Sequence, residues 1–134
     1  MSASSSTVSE RQRPRVIVAD DYPNVLIAFV QLLEMSCDVI GQVSDGVALV
    51  DAALARKPDI VVADMRLPGL SGLLACRRIR AALPGTKVIL FSALEDENLK
   101  RRALEAGASA FVMKTRASDD LLPAILKALD GSER

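Results

Sequence analysis

The chain has 134 residues, of which half are hydrophobic but only 3% aromatic, and its 17 Lys and Arg balance its 17 Asp and Glu. This length suits one domain with an aliphatic core. The equal numbers of basic and acidic residues give no indication of a surface that binds nucleic acid or a membrane. The sequence contains no histidine, which excludes an imidazole base, a histidine metal ligand and a histidine phosphate carrier within the chain.

The two ends of the chain indicate where the domain lies. Residues 1–13, MSASSSTVSERQR, are rich in serine and lack the apolar segment of a signal peptide, so we interpret them as a disordered lead-in. One domain is predicted over 14–131, followed by a tail of 132–134.

No apolar stretch is long enough to cross a membrane. Cys37 and Cys76 are interpreted as small buried hydrophobes in a reduced compartment, with a disulfide as the alternative, so we expect a cytoplasmic protein.

Apolar runs alternate with segments of helical spacing along the chain. The predicted strands are 15–19 (RVIVA), 38–43 (DVIGQV), 59–63 (DIVVA), 87–91 (KVILF) and 110–113 (AFVM). Most are continuous apolar runs, which are typical of parallel strands covered on both faces. Five such strands alternating with five helices predict an open, doubly wound α/β sheet with right-handed crossovers.

Each predicted helix carries an apolar stripe. In chain order the stripes are Val25, Phe29, Leu32 and Leu33; Val50, Ala53 and Leu54; Leu73, Cys76, Ile79 and Leu83; Leu99, Ala103 and Ala106; and Leu122, Ile125, Leu126 and Leu129. We interpret the last stripe as core packing rather than as a dimer seam. Ser118 is predicted to cap this helix, and Asp119 and Asp120 favour the positive end of its dipole.

Four of the five predicted strands end on polar side chains. Asp20 and Asp21 follow the first strand, Asp64 the third, Ser92 the fourth and Lys114 the fifth. In doubly wound sheets, functional residues gather at the carboxyl ends of the strands. Each residue also has an ordinary structural interpretation, since an Asp can cap a helix, a serine can bind loop backbone, and most lysines are solvated.

Together, these side chains predict a site for a metal and a phosphoryl group. Three carboxylates at one edge repel one another unless a cation intervenes, and oxygen ligands with open water positions suit Mg²⁺. A carboxylate beside such a metal can attack a phosphoryl group and carry it covalently. The ammonium and the hydroxyl would then hold the phosphoryl oxygens.

Four short motifs resemble the receiver domain of bacterial response regulators, over residues 15 to about 130. They are "ADD" after the first strand, "DMRLPGLSG" after the third, "SA" after the fourth and "K" after the fifth. The resemblance implies a flavodoxin- and CheY-like sheet of order 2-1-3-4-5, which brings the carboxylates after strands one and three together. The segment "GASAFVMKTRASDDLLPAI" is most similar to receivers of LuxR/NarL-type transcriptional regulators.

The resemblance implies a metal-binding and phosphoaccepting role for the acids. Asp64 would be the phosphoacceptor. Asp64 and Asp21 would bind Mg²⁺ or Mn²⁺ directly, with the backbone carbonyl of Arg66 as a further ligand, and Asp20 would act mainly through water.

The resemblance also implies a switch. Lys114 would pair with the phosphoryl group, Ser92 would swing toward it, and Phe111 would rotate inward, relaying phosphorylation to the surface of the last two helices. Phe111 replaces the tyrosine of many members, so this switch would lack a phenolic hydroxyl. Arg66 and Leu94 lie where members vary, and our hypothesis is that their bulk slows loss of the phosphate.

The expected partners also follow from the resemblance. The phosphoryl donor would be a phosphohistidine on a sensor histidine kinase or a phosphotransfer protein. A homodimer would use the last two helices, DNA would be bound only through an effector domain that this chain lacks, and no membrane contact is expected. The protein is then either a stand-alone receiver or a piece of a DNA-binding regulator, and in neither case an enzyme beyond accepting and losing its own phosphoryl group.

Three alternatives stay open. A flavodoxin-like binder of small molecules would need a phosphate-binding loop rich in Ser, Thr and Gly after the first strand, and it is disfavoured because "DDYPN" there repels phosphate unless a metal intervenes. A phosphatase of the haloacid dehalogenase type would have its nucleophile after the first strand and a second Asp two residues on, whereas Asp20 and Asp21 are adjacent. A degenerate receiver would act purely as an interaction module.

Overall fold

The computed structural model describes residues 13–130. The strands are Arg15–Ala19 (β1), Asp38–Val43 (β2), Ile60–Asp64 (β3), Lys87–Ser92 (β4) and Ala110–Met113 (β5). The helices are Pro23–Glu34 (α1), Gly46–Arg56 (α2), Gly72–Ala82 (α3), Glu97–Glu105 (α4) and Ala117–Asp130 (α5), with a 3₁₀ turn at Lys114–Arg116. Residues 1–12 of the predicted lead-in, residue 131 of the predicted domain and the predicted tail 132–134 lie outside the described residues.

All five strands pair in parallel in the order β2-β1-β3-β4-β5, which confirms the predicted sheet. Two strand boundaries were predicted one residue short at their carboxyl ends. Asp64 pairs with Phe91 and Ser92 pairs with Met113, so both polar residues belong to strands. Asp59, predicted to open β3, instead accepts a hydrogen bond from the backbone N–H of Arg15 at 2.8 Å. The site residues Asp64 and Ser92 are therefore held by the sheet itself.

The two faces of the sheet carry separate apolar clusters because side chains alternate along each strand. One face packs against α2, α3 and α4 and includes Ile17, Ala63 and Leu90. The other packs against α1 and α5 and includes Val18 and Phe91. A sheet covered on both faces explains the continuous apolar runs in the sequence.

The cysteines lie on opposite faces of this sheet. Cys76 belongs to the cluster with α2, α3 and α4, and Cys37 to the cluster with α1 and α5. Both are free and buried, so the alternative of a disulfide is wrong and the interpretation as small buried hydrophobes is confirmed. Burial raises the pKa of Cys37, and it raises the pKa of Cys76 to about 11.

The apolar stripes locate the helices well and their rotation less well. Leu54 of α2 is 41% exposed and Leu126 of α5 is 59% exposed, so these two members of the predicted stripes are wrong. The core residues of α5 are Ala117, Leu121, Ile125 and Ala128. The predicted cap Ser118 is also wrong, because the chain enters α5 from the 3₁₀ turn and the helix already includes Ala117; Asp119 and Asp120 do lie in its first turn.

Three helix starts are fixed by side-chain caps. Asp45 accepts from the N–H of Ala48 at 2.7 Å, Ser71 from Leu74 at 3.1 Å and Asp96 from Asn98 at 2.8 Å. Each cap satisfies a backbone donor that the helix itself leaves unpaired. Among residues 13–130, no helix combines the length and the apolarity needed to cross a bilayer.

Candidate functional site

Three carboxylates meet at the carboxyl edge of the sheet. Asp20 and Asp21 follow β1, Asp64 ends β3, and these strands are neighbours, with Ala19 paired to Ala63. One oxygen atom from each carboxylate lies within 4.8 Å of the others. The strand order that the resemblance implied therefore brings together the acids that the sequence singled out.

The two acids after β1 have different surroundings. Asp20 is fully buried, and its Oδ1 accepts from the backbone N–H of Tyr22 at 2.8 Å. Its Oδ2 lies 3.0 Å from Lys114 Nζ as an ion pair but has no hydrogen-bond partner within residues 13–130. Asp21 is exposed, and its carboxylate has no partner in the same part of the chain. Neither acid caps α1, whose N-cap is Tyr22 with Pro23 in the first turn.

Asp64 is 5% exposed and is held from two sides. Its Oδ1 accepts from the backbone N–H of Arg66 at 3.0 Å, and its Oδ2 accepts from Lys114 Nζ at 2.8 Å. The first contact closes a tight turn at the end of the strand, which aims the carboxylate at the sheet edge rather than at a helix N-terminus. Asp64 is thus a nearly buried carboxylate with both oxygens oriented.

Lys114 is the first residue after β5 and joins the two buried acids. Burial lowers the pKa of its ammonium, but the contacts with Asp64 and Asp20 outweigh burial and raise it above its usual value. The ammonium also lies 5.3 Å from the ring centroid of Tyr22 and 5.5 Å from that of Phe91. The interpretation of Lys114 as a solvated surface lysine is therefore wrong.

The two predicted switch residues lie in different places. Ser92 ends β4 at the site, and its Oγ accepts from the backbone N–H of Leu94 at 3.0 Å, as its ordinary structural role predicts. Phe111 is half-buried in β5 and packs against the cluster of α2, α3 and α4, away from the acids. A cavity of about 140 Å³ lies beside it, lined in part by Glu95, Lys100 and Met113.

Asp21 and Asp64 open into a cavity of about 180 Å³. It is lined by Asp21, Tyr22, Asp64, Arg66, Ser92, Ala93, Leu94 and Lys114. The three candidate metal ligands are carboxylates, one of them is exposed, and the buried Oδ2 of Asp20 lacks a hydrogen bond, which together suit a hard divalent cation. The cavity can also hold an anion, because Lys114 and Arg66 contribute positive charge beside Asp64.

Tyr22 was missed as a site residue. The sequence motif "DDYPN" drew attention to its acids, and the ring beside them received no role. A signal was present, since this is the chain's sole tyrosine and it directly follows the two acids. Its contact with Lys114 depends on the fold and could not be derived from spacing.

Comparison with known proteins identifies the family. A family model described as the response regulator receiver domain matches residues 16–126. The relative named "Probable transcriptional regulatory protein NarL", from Mycobacterium tuberculosis, is 30% identical over 124 residues, covering 91% of this chain and 57% of that protein. The uncharacterized transcriptional regulatory protein YxjL of Bacillus subtilis is 31% identical over 123 residues, covering 90% and 56%. The chain therefore spans a little over half the length of these relatives.

The solved structures agree with the family match. The signal receiver domain of NarL from Mycobacterium tuberculosis superposes with a TM-score of 0.83 at 32% identity, covering 89% of this chain and 98% of that one. Because the family model spans most of the 134 residues, the chain belongs to the response regulator receiver domain family.

Proposed function

We propose that Asp64 accepts a phosphoryl group from a phosphohistidine on a sensor histidine kinase or a phosphotransfer protein. One observation carries the proposal: a nearly buried carboxylate, oriented by the N–H of Arg66 and the ammonium of Lys114, faces a cavity that also contains an exposed acid, Asp21. This arrangement supplies a nucleophile, a cation for the phosphoryl oxygens and an open carboxylate for a metal.

The proposed transfer makes one bond and breaks one. A carboxylate oxygen of Asp64 attacks the phosphorus, the new P–O bond forms as the P–N bond to the imidazole breaks, and the imidazole leaves with the electron pair and takes up a proton. The ammonium of Lys114 balances charge on the phosphoryl oxygens, and Ser92 donates its hydroxyl to one of them after leaving the N–H of Leu94. Hydrolysis of the acyl phosphate resets the carboxylate, so the chain turns over its own phosphoryl group and no external substrate.

The metal proposed here is Mg²⁺ or Mn²⁺. Asp21 and Asp64 would hold it directly, the backbone carbonyl of Arg66 would add a ligand, and Asp20, which is fully buried and does not line the cavity, would act through water. When bound, such a cation neutralises the acids and the developing charge on the phosphoryl group.

The proposed signal leaves the site through Ser92 and Phe111. Movement of Ser92 toward the phosphoryl group would open space for Phe111, which is half-buried and lies beside a cavity, and so change the surface of α4, β5 and α5. This surface is where we propose a homodimer or another partner to bind. We keep the hypothesis that the bulk of Arg66 and Leu94, which line the cavity, slows loss of the phosphate.

The proposed output is transcription, if an effector domain follows the receiver. The relatives in Mycobacterium tuberculosis and Bacillus subtilis are named transcriptional regulatory proteins and extend well beyond the region that this chain matches. DNA would then be bound by that further domain. Because the protein would have to reach both the kinase and the DNA, we propose that it is cytoplasmic. A stand-alone receiver that acts through protein contacts is the other form compatible with this chain.

A small phosphodonor tests the proposed acceptor. With Mg²⁺ and acetyl phosphate, intact-mass spectrometry is expected to find one added phosphoryl group, and Asp64→Asn is expected to abolish it. Asp59→Asn is the matched control, because Asp59 lies before β3 and bonds Arg15 at the opposite edge of the sheet. An adduct that persists in Asp64→Asn would refute the acceptor.

The same experiment separates the alternatives. A degenerate receiver would show no adduct in the wild-type chain even with Mg²⁺ and acetyl phosphate supplied. A phosphatase of the haloacid dehalogenase type would release phosphate from monoesters over many cycles, whereas a receiver consumes one donor each time that it is labelled.

A further inference from the structure

We propose that Tyr22 is a positioning residue that holds the ammonium of Lys114 in the site through the face of its ring. The proposal deepens the proposed function, since it concerns the cation that would bind the phosphoryl group. It rests on contacts of the described residues that are independent of that function.

The ammonium of Lys114 has two aromatic neighbours as well as two acids. Its Nζ lies 5.3 Å from the ring centroid of Tyr22 and 5.5 Å from that of Phe91, both within the range of cation–π attraction. The chain contains one tyrosine and three phenylalanines, so half of its aromatic rings lie beside this one ammonium. In an aliphatic protein, each of these two rings therefore needs its own explanation.

The two rings differ in what else holds them. Phe91 is fully buried and packs on Phe29, with ring centroids 4.5 Å apart. The side chain of Tyr22 is 61% exposed and lines the cavity, so core packing does not account for an aromatic residue here. Contact with Lys114 is the interaction that distinguishes a ring at this position from any other exposed side chain.

The backbone of Tyr22 is fixed, which allows its ring to act as a support. Its N–H donates to Asp20 Oδ1 at 2.8 Å, and its carbonyl accepts from the N–H of Leu26 at 3.0 Å. The same carboxylate that pairs with Lys114 thus also sets the position of the ring. Tyr22, Asp20 and Lys114 form one connected unit.

This support matters most when Asp64 changes its charge. Lys114 now bonds Asp64 Oδ2 at 2.8 Å, and conversion of that carboxylate to an acyl phosphate removes its charge and moves negative charge to the phosphoryl oxygens. The attraction of the ring for the ammonium does not depend on the state of Asp64. Tyr22 would therefore keep Nζ in the site while its anionic partner is exchanged.

A spectroscopic experiment tests the contact without phosphorylation. In ¹³C-lysine-labelled protein, the ε-methylene signal of Lys114, assigned by its loss in Lys114→Met, is expected to show a ring-current shift. Tyr22→Leu should move this signal toward the ordinary lysine position, and Tyr22→Phe should retain the shift because it keeps the ring. A signal that is the same in wild type and Tyr22→Leu would overturn the proposal.

A kinetic experiment tests the consequence. Tyr22→Leu is expected to slow labelling of Asp64 by acetyl phosphate about two- to fivefold, the effect of losing one exposed cation–π contact, and Tyr22→Phe should restore the rate. Ile27→Ala, at an exposed apolar position of α1 that does not line the cavity, is the control and should leave the rate unchanged. Equal loss in Tyr22→Leu and Tyr22→Phe would contradict a role for the ring.

The two experiments also separate this proposal from the proposed function. If the wild-type chain takes no phosphoryl group, the function fails while the lysine signal still decides whether Tyr22 holds Lys114. If labelling occurs and the lysine signal ignores Tyr22, the function stands and the positioning role fails.

Discussion

At the scale of single residues, Lys114 determines how the charges of the site are balanced. It is one ammonium against three carboxylates, and it contacts the two buried ones while the exposed Asp21 is left without a partner among residues 13–130. The sequence predicted that these residues would meet. It could not predict that Asp20 and Asp64 share the lysine, since this depends on side-chain reach across β1, β3 and β5.

The buried thiol of Cys76 gives a prediction for stability at alkaline pH. Burial raises its pKa from 9.0 to about 11, against the opposing charges of Arg80 and Arg77. Below pH 9 the thiol is protonated in both the native and the unfolded chain, so its contribution is fully present. Between pH 9 and about 11 only the unfolded chain ionises, so the free energy of unfolding should fall, by about 2 kcal/mol from this residue.

The matched measurement for Cys76 compares slopes rather than absolute stabilities. Urea unfolding between pH ~8 and pH ~11, a range that brackets the titration of the thiol, should show a shallower decline in the free energy of unfolding in Cys76→Ala than in wild type. The stability of Cys76→Ala at a single pH does not test the prediction, because removing the sulfur also leaves a cavity. Identical slopes would mean that Cys76 ionises at the same pH in both states.

At the scale of elements, strands were predicted more accurately than the rotation of helices. A parallel strand buried on both faces leaves a continuous apolar run in the sequence. The carboxyl ends of β3 and β4 were displaced because Asp64 and Ser92 are polar yet still paired, and β3 also begins one residue later than predicted, at Ile60. Helix α5 contains two pairs of adjacent apolar residues, Leu121-Leu122 and Ile125-Leu126, so two stripes fit the pattern. Packing selects the one with Leu121, and the exposed Leu126 falls outside it.

Close packing of α3 against β3 predicts a large effect of one methyl group. A Cβ at Gly72 would lie 1.9 Å from the carbonyl oxygen of Asp64, so α3 or the end of β3 must move to accept Gly72→Ala. Helix propensity alone predicts the opposite sign, because alanine is the better helix former. We expect the free energy of unfolding to fall by about 1–3 kcal/mol, measured by urea denaturation, and labelling of Asp64 to slow.

Gly85→Ala is the control for this effect. A Cβ at Gly85 would meet no atom within 4 Å, and its backbone does not have a positive φ. Its free energy of unfolding should stay within about 0.5 kcal/mol of wild type. If Gly72→Ala is as stable as Gly85→Ala, the contact between α3 and the backbone of Asp64 is not as tight as described.

At the scale of the whole molecule, the strand order makes the site. Periodicity predicted five parallel strands but left their order open, and the order 2-1-3-4-5 came from the resemblance to receivers. This order places β1 beside β3 and so gathers three acids at one edge of a chain whose formal net charge is zero. The local excess of negative charge is thus a property of topology rather than of composition.

This excess predicts that Asp21 lowers the stability of the metal-free protein and raises it when Mg²⁺ is present. Asp21→Asn removes one of three neighbouring charges, so the variant should melt at a higher temperature than wild type in EDTA. Mg²⁺ binds the native state of the wild type and should stabilise it by about 2.7 kcal/mol at a concentration of 100 times its Kd, and the variant should lose most of this gain. The order of the two melting temperatures would then reverse between EDTA and saturating Mg²⁺.

Asp51→Asn, at an exposed position of α2, is the matched control and should leave the response to Mg²⁺ unchanged. If Mg²⁺ stabilises Asp21→Asn as much as wild type, Asp21 is not a metal ligand, whatever the outcome of the labelling of Asp64.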